Sequence, residues 1–215
     1  MGDKTLKLED IEQPNLDIIE YKSKGLDNMS HIDWFKFAKA NESYGEPGVS
    51  YEELWAIFEA LETFSGNAIT ILETGQCFGT TTRFFAVYVH KHGGELHSME
   101  LNIREPFKKD MQDMGLWEHV IQTHEGNSMK LPWNKTINFL FIDSEHHMED
   151  ALGEYMRYRI WLQQGSIVGF HDSQCCPGVR RAIEIAKELD DLELVSCVDL
   201  NVSAGVELYK WKGRN

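Results

Sequence analysis

Several stretches of this chain place chemically capable side chains where a fold of alternating strands and helices would expose them. Glu73-Thr74-Gly75-Gln76-Cys77-Phe78-Gly79-Thr80-Thr81-Thr82 follows a short apolar run. Gly75 permits a tight turn and close backbone approach, and Gly79 opens a helix whose unpaired N–H groups can hold a carboxylate or phosphate. Met99-Glu100-Leu101 comes about 20–30 positions later, where an acid can accept both hydroxyls of an adenosine ribose. Glu125-Gly126-Asn127-Ser128 offers short polar groups suited to an adenine ring. Asp143-Ser144-Glu145-His146-His147 and His171-Asp172-Ser173 gather acids and imidazoles, which are costly to bury unless paired or at work.

The elements that would hold these loops alternate along the chain. Ser50 and Glu53 have the spacing of a capping box for a helix over 51–63, with Leu54, Ile57, Phe58 and Leu61 at helical intervals. Strands are predicted at 68–73, 95–101, 120–124, 137–142 and 166–170, and helices at 80–92, 105–114, 149–162 and 179–189. The helix over 149–162 would carry Leu152, Tyr155, Met156 and Ile160 on one stripe. Repeated units of this kind predict an α/β fold, a doubly wound, mostly parallel seven-stranded sheet covered by helices on both faces. Runs 192–198 and 206–211 also read as strands, joined by a connection too short for a parallel crossover, so the last strand must run antiparallel. Ligands bind such sheets at the carboxyl ends of the strands, which is where the polar loops fall.

Before residue 50 the composition changes. Residues 1–49 form an N-terminal appendage, with the aromatic cluster His31-Ile32-Asp33-Trp34-Phe35-Lys36-Phe37 and a break at Gly45-Glu46-Pro47-Gly48. Trp34, Phe35, Phe37 and Tyr44 could form a lid over a substrate, pack on the sheet edge, or meet a second copy of the chain in a homo-oligomer. Trp133, in a loop after Pro132, is a candidate for stacking on a substrate, whereas Trp161 reads as core.

The 215 residues are 42% hydrophobic and 26% charged, enough for one sizeable core. With 21 Lys and Arg against 35 Asp and Glu, the formal charge is −14, and no basic patch interrupts it. Nucleic acid and anionic lipid are therefore not expected partners. The longest apolar run is far short of a membrane helix, and the N-terminus carries no apolar signal core. Leu6 stands where a myristoylation site would need Ser or Thr. The four cysteines, Cys77, Cys175, Cys176 and Cys197, lack zinc spacing and are too few for a disulfide scaffold, so reduced thiols in the cytoplasm are expected.

In order, the segments ILETGQCFGTTT, SMELN, EGNSMKLP, FIDSEHHMEDAL and QQGSIVGFHDS resemble a class I S-adenosylmethionine-dependent methyltransferase. The resemblance runs from about Ser50 to Trp211. It is strongest to the small-molecule O-methyltransferases of the macrocin-type and cephalosporin-hydroxylase-like group. It implies that Glu73, Gly75 and Gly79, with Thr80, cradle the amino-acid end of the cofactor, that Glu100 binds the ribose, and that Asn127 and Ser128 flank the adenine. Asp143 joins the cofactor set and the catalytic pair, and His146 takes the place of the family's general base. Some relatives hold a divalent cation through an Asp after the fourth strand and two acids after the fifth; the corresponding residues are Asp143, His171 and Asp172. Here His171 replaces the first of those acids, which suits Mg²⁺ poorly and leaves a softer ion, or none. Asn127 stands where Asp is common, and Gly165-Ser166 replaces a Gly-Gly pair.

The chemistry so implied is in-line methyl transfer to a small-molecule hydroxyl, with His146 removing the proton. Two other classes share the glycine loop and Glu100: a nicotinamide-dependent oxidoreductase and a non-catalytic adenosine-ligand module. The antiparallel last strand and the lack of a second catalytic domain weigh against the first. The pairing of Asp143 with His146 weighs against the second.

Overall fold

A computed structural model of the chain describes residues 25–40, 48–117, 120–199 and 204–214. Leu6, Tyr44 and the Gly45-Glu46-Pro47 break lie outside the described residues. Seven strands form one sheet: β1 (Ile69–Thr74), β2 (Gly94–Glu100), β3 (Ile121–Glu125), β4 (Ile137–Ile142), β5 (Leu162–His171), β6 (Asp190–Val198) and β7 (Val206–Arg214). Their spatial order is β3-β2-β1-β4-β5-β7-β6. β1 pairs in parallel with β2 and β4, as do β2 with β3 and β4 with β5. β7 is antiparallel to both neighbours. The strand order reverses between β1 and β4, which opens the crevice at their carboxyl ends.

Six helices accompany the sheet among the described residues: α1 (His31–Ala38), α2 (Tyr51–Glu62), α3 (Thr80–His92), α4 (Glu105–Asp113), α5 (Met148–Tyr158) and α6 (Pro177–Leu189). Period-two alternation in the strands sorts the core into two layers. Ile69 and Ile71 of β1 and Phe139 and Phe141 of β4 belong to the layer of α1 to α4. Leu72, Leu140 and Ile142 belong to that of α5 and α6.

Both N-terminal helices begin with a completed capping box, Ser30 with Asp33 and Ser50 with Glu53. With only eight residues, α1 is too short to stand alone in water. Its aromatic face holds it: Trp34, Phe35 and Phe37 are buried, Trp34 and Phe35 edge-on to Phe58 of α2 and Phe35 edge-on to Phe84 of α3. Full burial contributes roughly 1.5–3 kcal/mol for a side chain such as Phe.

The structure corrects the sequence-based reading in one region. The helix predicted to run to 162 stops at Tyr158, passes through a 3-10 turn at Arg159–Trp161, and yields Leu162 to β5, four residues earlier than expected. Two long-range contacts decide this. Arg159 turns to the buried Asp190, its Nε donating at 2.6 Å, and Leu162 pairs with Ile137 across an irregularity in β4. The buried stripe of α5 is accordingly Ala151, Glu154, Tyr155 and Tyr158, while Met156 and Ile160 face solvent.

Candidate active site

The glycine loop is held by backbone geometry that only glycine satisfies. Gly75 has φ +85°, and a Cβ there would lie 2.1 Å from the Asp143 carbonyl oxygen. The close approach couples the loop to the end of β4, where the Asp143 N–H donates to the Thr74 carbonyl at 2.9 Å. Gly79 is the left-handed N-cap of α3, packed so closely on Phe107 that a side chain would overlap the ring.

Two buried carboxylates brace the crevice from opposite faces of β1. Glu73, fully buried, accepts hydroxyl hydrogen bonds from Thr81, from Thr82 at 2.6 Å and from Ser98 at 2.7 Å. Burial raises its pKa from 4.5 to about 7, against the lowering effect of those hydroxyls. Glu154, on α5, accepts from Thr74 at 2.8 Å, Ser144 at 2.7 Å and Ser128, and burial raises its pKa as well. Glu73 thus spans β1, α3 and β2, with both oxygens engaged by the protein. Thr80, the first residue of α3, is also buried.

Between these braces lies an open pocket at the β1/β4 switch point, lined by Gly75, Glu100, Asn127, Ser128, Ser144 and Glu154 among others. Met99, Leu101 and Met129 supply apolar walls; Glu145 and Asp150 add acids, and among the described residues no Lys or Arg lines it. Glu100 accepts from the Gln76 and Cys77 backbone N–H groups, each at 2.9 Å, so it closes on the glycine loop. Asn127 uses its side-chain oxygen to accept from the Met129 N–H at 2.8 Å. The structure therefore brings Gly75, Glu100, Asn127 and Ser128 to one cavity, and places Glu73 and Gly79 behind it as supports. A pocket of acids and short polar groups with apolar walls fits a cationic sulfonium carrying an adenosine.

Beside it, the ends of β4 and β5 assemble an ionisable cluster. His171 Nδ1 lies 2.9 Å from Asp143 Oδ1 and 3.1 Å from Asp172 Oδ2, and its Nε2 lies 3.4 Å from Glu53 Oε1. His146 Nε2 lies 2.9 Å from Asp172 Oδ2, and its side chain is 59% exposed. Burial pulls the His171 imidazole down, but Asp143, Asp172 and Glu53 more than reverse this and hold it well above 6.5. Burial would raise Asp172; hydrogen bonds from His171 and Cys175 and the nearby His146 bring it to about 2. Asp143 is lifted by burial, with His171 holding it back.

Among the described residues, two groups have ligand-type atoms within 4.8 Å of one another: Asp143, His171 and Asp172, and His146, Asp172 and Cys176. The first does not fit a divalent cation as arranged. Nδ1 of His171 stands within hydrogen-bond distance of both carboxylates, and a ring N–H placed there would leave no lone pair for a metal.

Glu53, Asp150 and Glu154 are the site acids that sequence reasoning missed. A signal for Glu154 existed, since it shares the helical face of Ala151, Tyr155 and Tyr158. Glu53 had none, because the capping box already accounted for it. Trp133 does not line the pocket; it sits edge-on to His97 and Tyr158, with Nε1 donating to the Lys135 carbonyl at 2.6 Å. Trp161 packs at the margin of the α5–α6 layer.

A family described as a methyltransferase domain matches residues 72–173. No curated protein matches the sequence. Among solved structures, the chain is similar to the O-methyltransferase TomG from Streptomyces achromogenes, in complex with SAM. That likeness has 16% identity and a TM-score of 0.64, over 95% of this chain and 94% of that one. The O-methyltransferase NovP is similar at 14% identity and TM-score 0.63, over 75% of this chain and 80% of that one. CalS11, a TDP-rhamnose 3'-O-methyltransferase of calicheamicin biosynthesis, is similar at 15% identity and TM-score 0.59, over 90% and 93%. At such identities the likeness is one of fold. By its topology and these likenesses the chain has the fold of the class I methyltransferases, and residues 72–173 within it match a methyltransferase-domain family.

Proposed function

We propose that the protein is an S-adenosylmethionine-dependent O-methyltransferase that methylates a hydroxyl of a small molecule, with His146 as general base. One observation carries the reading: the acidic pocket at the switch point is lined by Ser144 and Glu145, and the next residue in the chain, His146, has its imidazole 2.9 Å from Asp172. Cofactor pocket and base are thereby adjacent. That TomG, NovP and CalS11 are all O-methyltransferases supports an oxygen acceptor.

Gly75, Glu100, Asn127 and Ser128 would hold the cofactor, with Glu100 reaching the ribose hydroxyls. When bound, S-adenosylmethionine supplies a sulfonium methyl carbon that a hydroxyl oxygen displaces in line, releasing S-adenosylhomocysteine. The chain's own part is to position the acceptor and remove its proton. With Nε2 held 2.9 Å from Asp172, Nδ1 of His146 is the ring nitrogen left to take the proton, and the exposure of the side chain leaves it open to an acceptor. Asp172 is a positioning residue: it fixes tautomer and ring orientation. Free Cys77, Cys175, Cys176 and Cys197 suit a reducing cytoplasm, and no described helix is long and apolar enough to cross a membrane.

Calorimetric titration with S-adenosylmethionine, S-adenosylhomocysteine and NADH tests the reading. Micromolar binding of both sulfur ligands and none of NADH is the expected result. Absence of binding by either sulfur ligand would remove the methyltransferase reading.

A further inference from the structure

Asp143 and Asp172 come from adjacent strand ends and point at one place, and what stands there is the His171 ring. Nδ1 is at 2.9 Å from one carboxylate and 3.1 Å from the other. The far edge of the ring faces a third carboxylate, with Nε2 3.4 Å from Glu53 Oε1. Only 7% of the His171 side chain is exposed, and the ring leans against Phe141 at 6.3 Å between centroids.

Glu53 is itself fixed from two sides. It accepts the Ser50 N–H at 2.7 Å and the Gly205 N–H at 2.8 Å. The imidazole is therefore bounded by carboxylates at both edges and a phenyl ring, with Nε2 facing Glu53 but making no hydrogen bond to it. Clustered carboxylates require a compensating positive group close by, because little solvent reaches them. Without the ring, Asp143, Asp172 and Glu53 would face one another and call for an external cation; with it, the positive group is supplied by the chain.

We infer that His171 is the resident counter-ion of Asp143 and Asp172, its ring N–H standing between them in the place of a divalent cation, so that this enzyme needs no metal. The last clause rests on the methyltransferase reading; the placement of the ring does not. The same Asp172 oxygen also lies 2.9 Å from His146 Nε2, so the arrangement leaves Asp172 turned toward His146.

The test is calorimetric titration of the whole protein with MgCl₂ and with MnCl₂, for the wild type, His171→Asp and Asp143→Asn. The wild type should bind neither ion at millimolar concentration. His171→Asp, with three oxygen-bearing side chains, should gain a site and bind at least roughly ten-fold more tightly. Stoichiometric micromolar binding by the wild type that Asp143→Asn abolishes would overturn the proposal. Should His171→Asp fail to fold, long-range ¹H–¹⁵N spectra of the wild type decide instead. A proton on His171 Nδ1 that persists when Mg²⁺ is added supports the proposal, and an unprotonated Nδ1 overturns it. Titrating S-adenosylmethionine into the same sample separates the two claims, since its failure to bind would sink the proposed function and leave the metal result readable.

Discussion

His146 Nε2 and Asp172 Oδ2 are 2.9 Å apart, and Asp172 makes that contact from a left-handed backbone, φ 56°. Few residues other than glycine adopt this region, Asp among the more tolerant, so the turn after β5 aims the carboxylate at His146 at some cost. Replacing His146 by Ala should lower turnover at least about 100-fold and leave S-adenosylmethionine affinity within two-fold, the pattern of a lost general base. Steady-state kinetics with calorimetry would show it. Unchanged turnover would remove His146 from the mechanism.

Glu100 closes on the backbone of the cofactor loop through Gln76 and Cys77. Glu100→Gln keeps the shape and removes the charge. Hydrogen bonds to a charged group contribute about 1.5–3 kcal/mol, so cofactor affinity should fall roughly 10- to 100-fold. A melting temperature that drops with unchanged affinity would make Glu100 a loop brace only.

Gly75 and Gly115 both have positive φ, but they differ in what surrounds them. A Cβ at Gly75 meets the Asp143 carbonyl, whereas one at Gly115 meets nothing within 4 Å. Gly75→Ala should therefore destabilise by roughly 1–3 kcal/mol more than Gly115→Ala. Urea unfolding of the two variants measures the difference directly. Equal losses would show that backbone conformation, not close approach, sets the requirement.

Glu73 makes stability depend on pH. Its folded pKa is about 7 and its ordinary value 4.5, so between these values the folded state holds the proton more tightly. Its contribution to stability is then present at low pH and lost as pH rises through that window, by about 2–3 kcal/mol between pH 5 and pH 8. Glu73→Gln should remove that part of the slope and gain on the wild type at pH 8. Parallel pH profiles of wild type and variant would contradict this.

The sheet was legible because its strands are short apolar runs bounded by turn residues, and helices such as 80–92 match the structure to the residue. The reversed β7 followed from chain length alone, since seven residues cannot make a parallel crossover. The 149–162 stretch misled because its end is set by Arg159 reaching Asp190, a contact that no local period encodes. The site was legible where loops carry unusual residues, as at Gly75, Asn127 and His171. It was hidden where an acid looked ordinary in its own helix, as with Glu154, or had a sufficient local role, as with Glu53.

Glu53 joins three things usually considered apart. One oxygen closes the start of α2, and the other meets both the Gly205 N–H before β7 and the His171 ring. A helix cap, a hairpin near the C-terminus and the reactive cluster thus share one carboxylate. Loosening either distant segment, by a change at Ser50 or in the β6–β7 connection, would reach His171 without touching the pocket. The start of α2 and the approach to β7 are therefore tied through a single side chain to the ionisable cluster at the ends of β4 and β5.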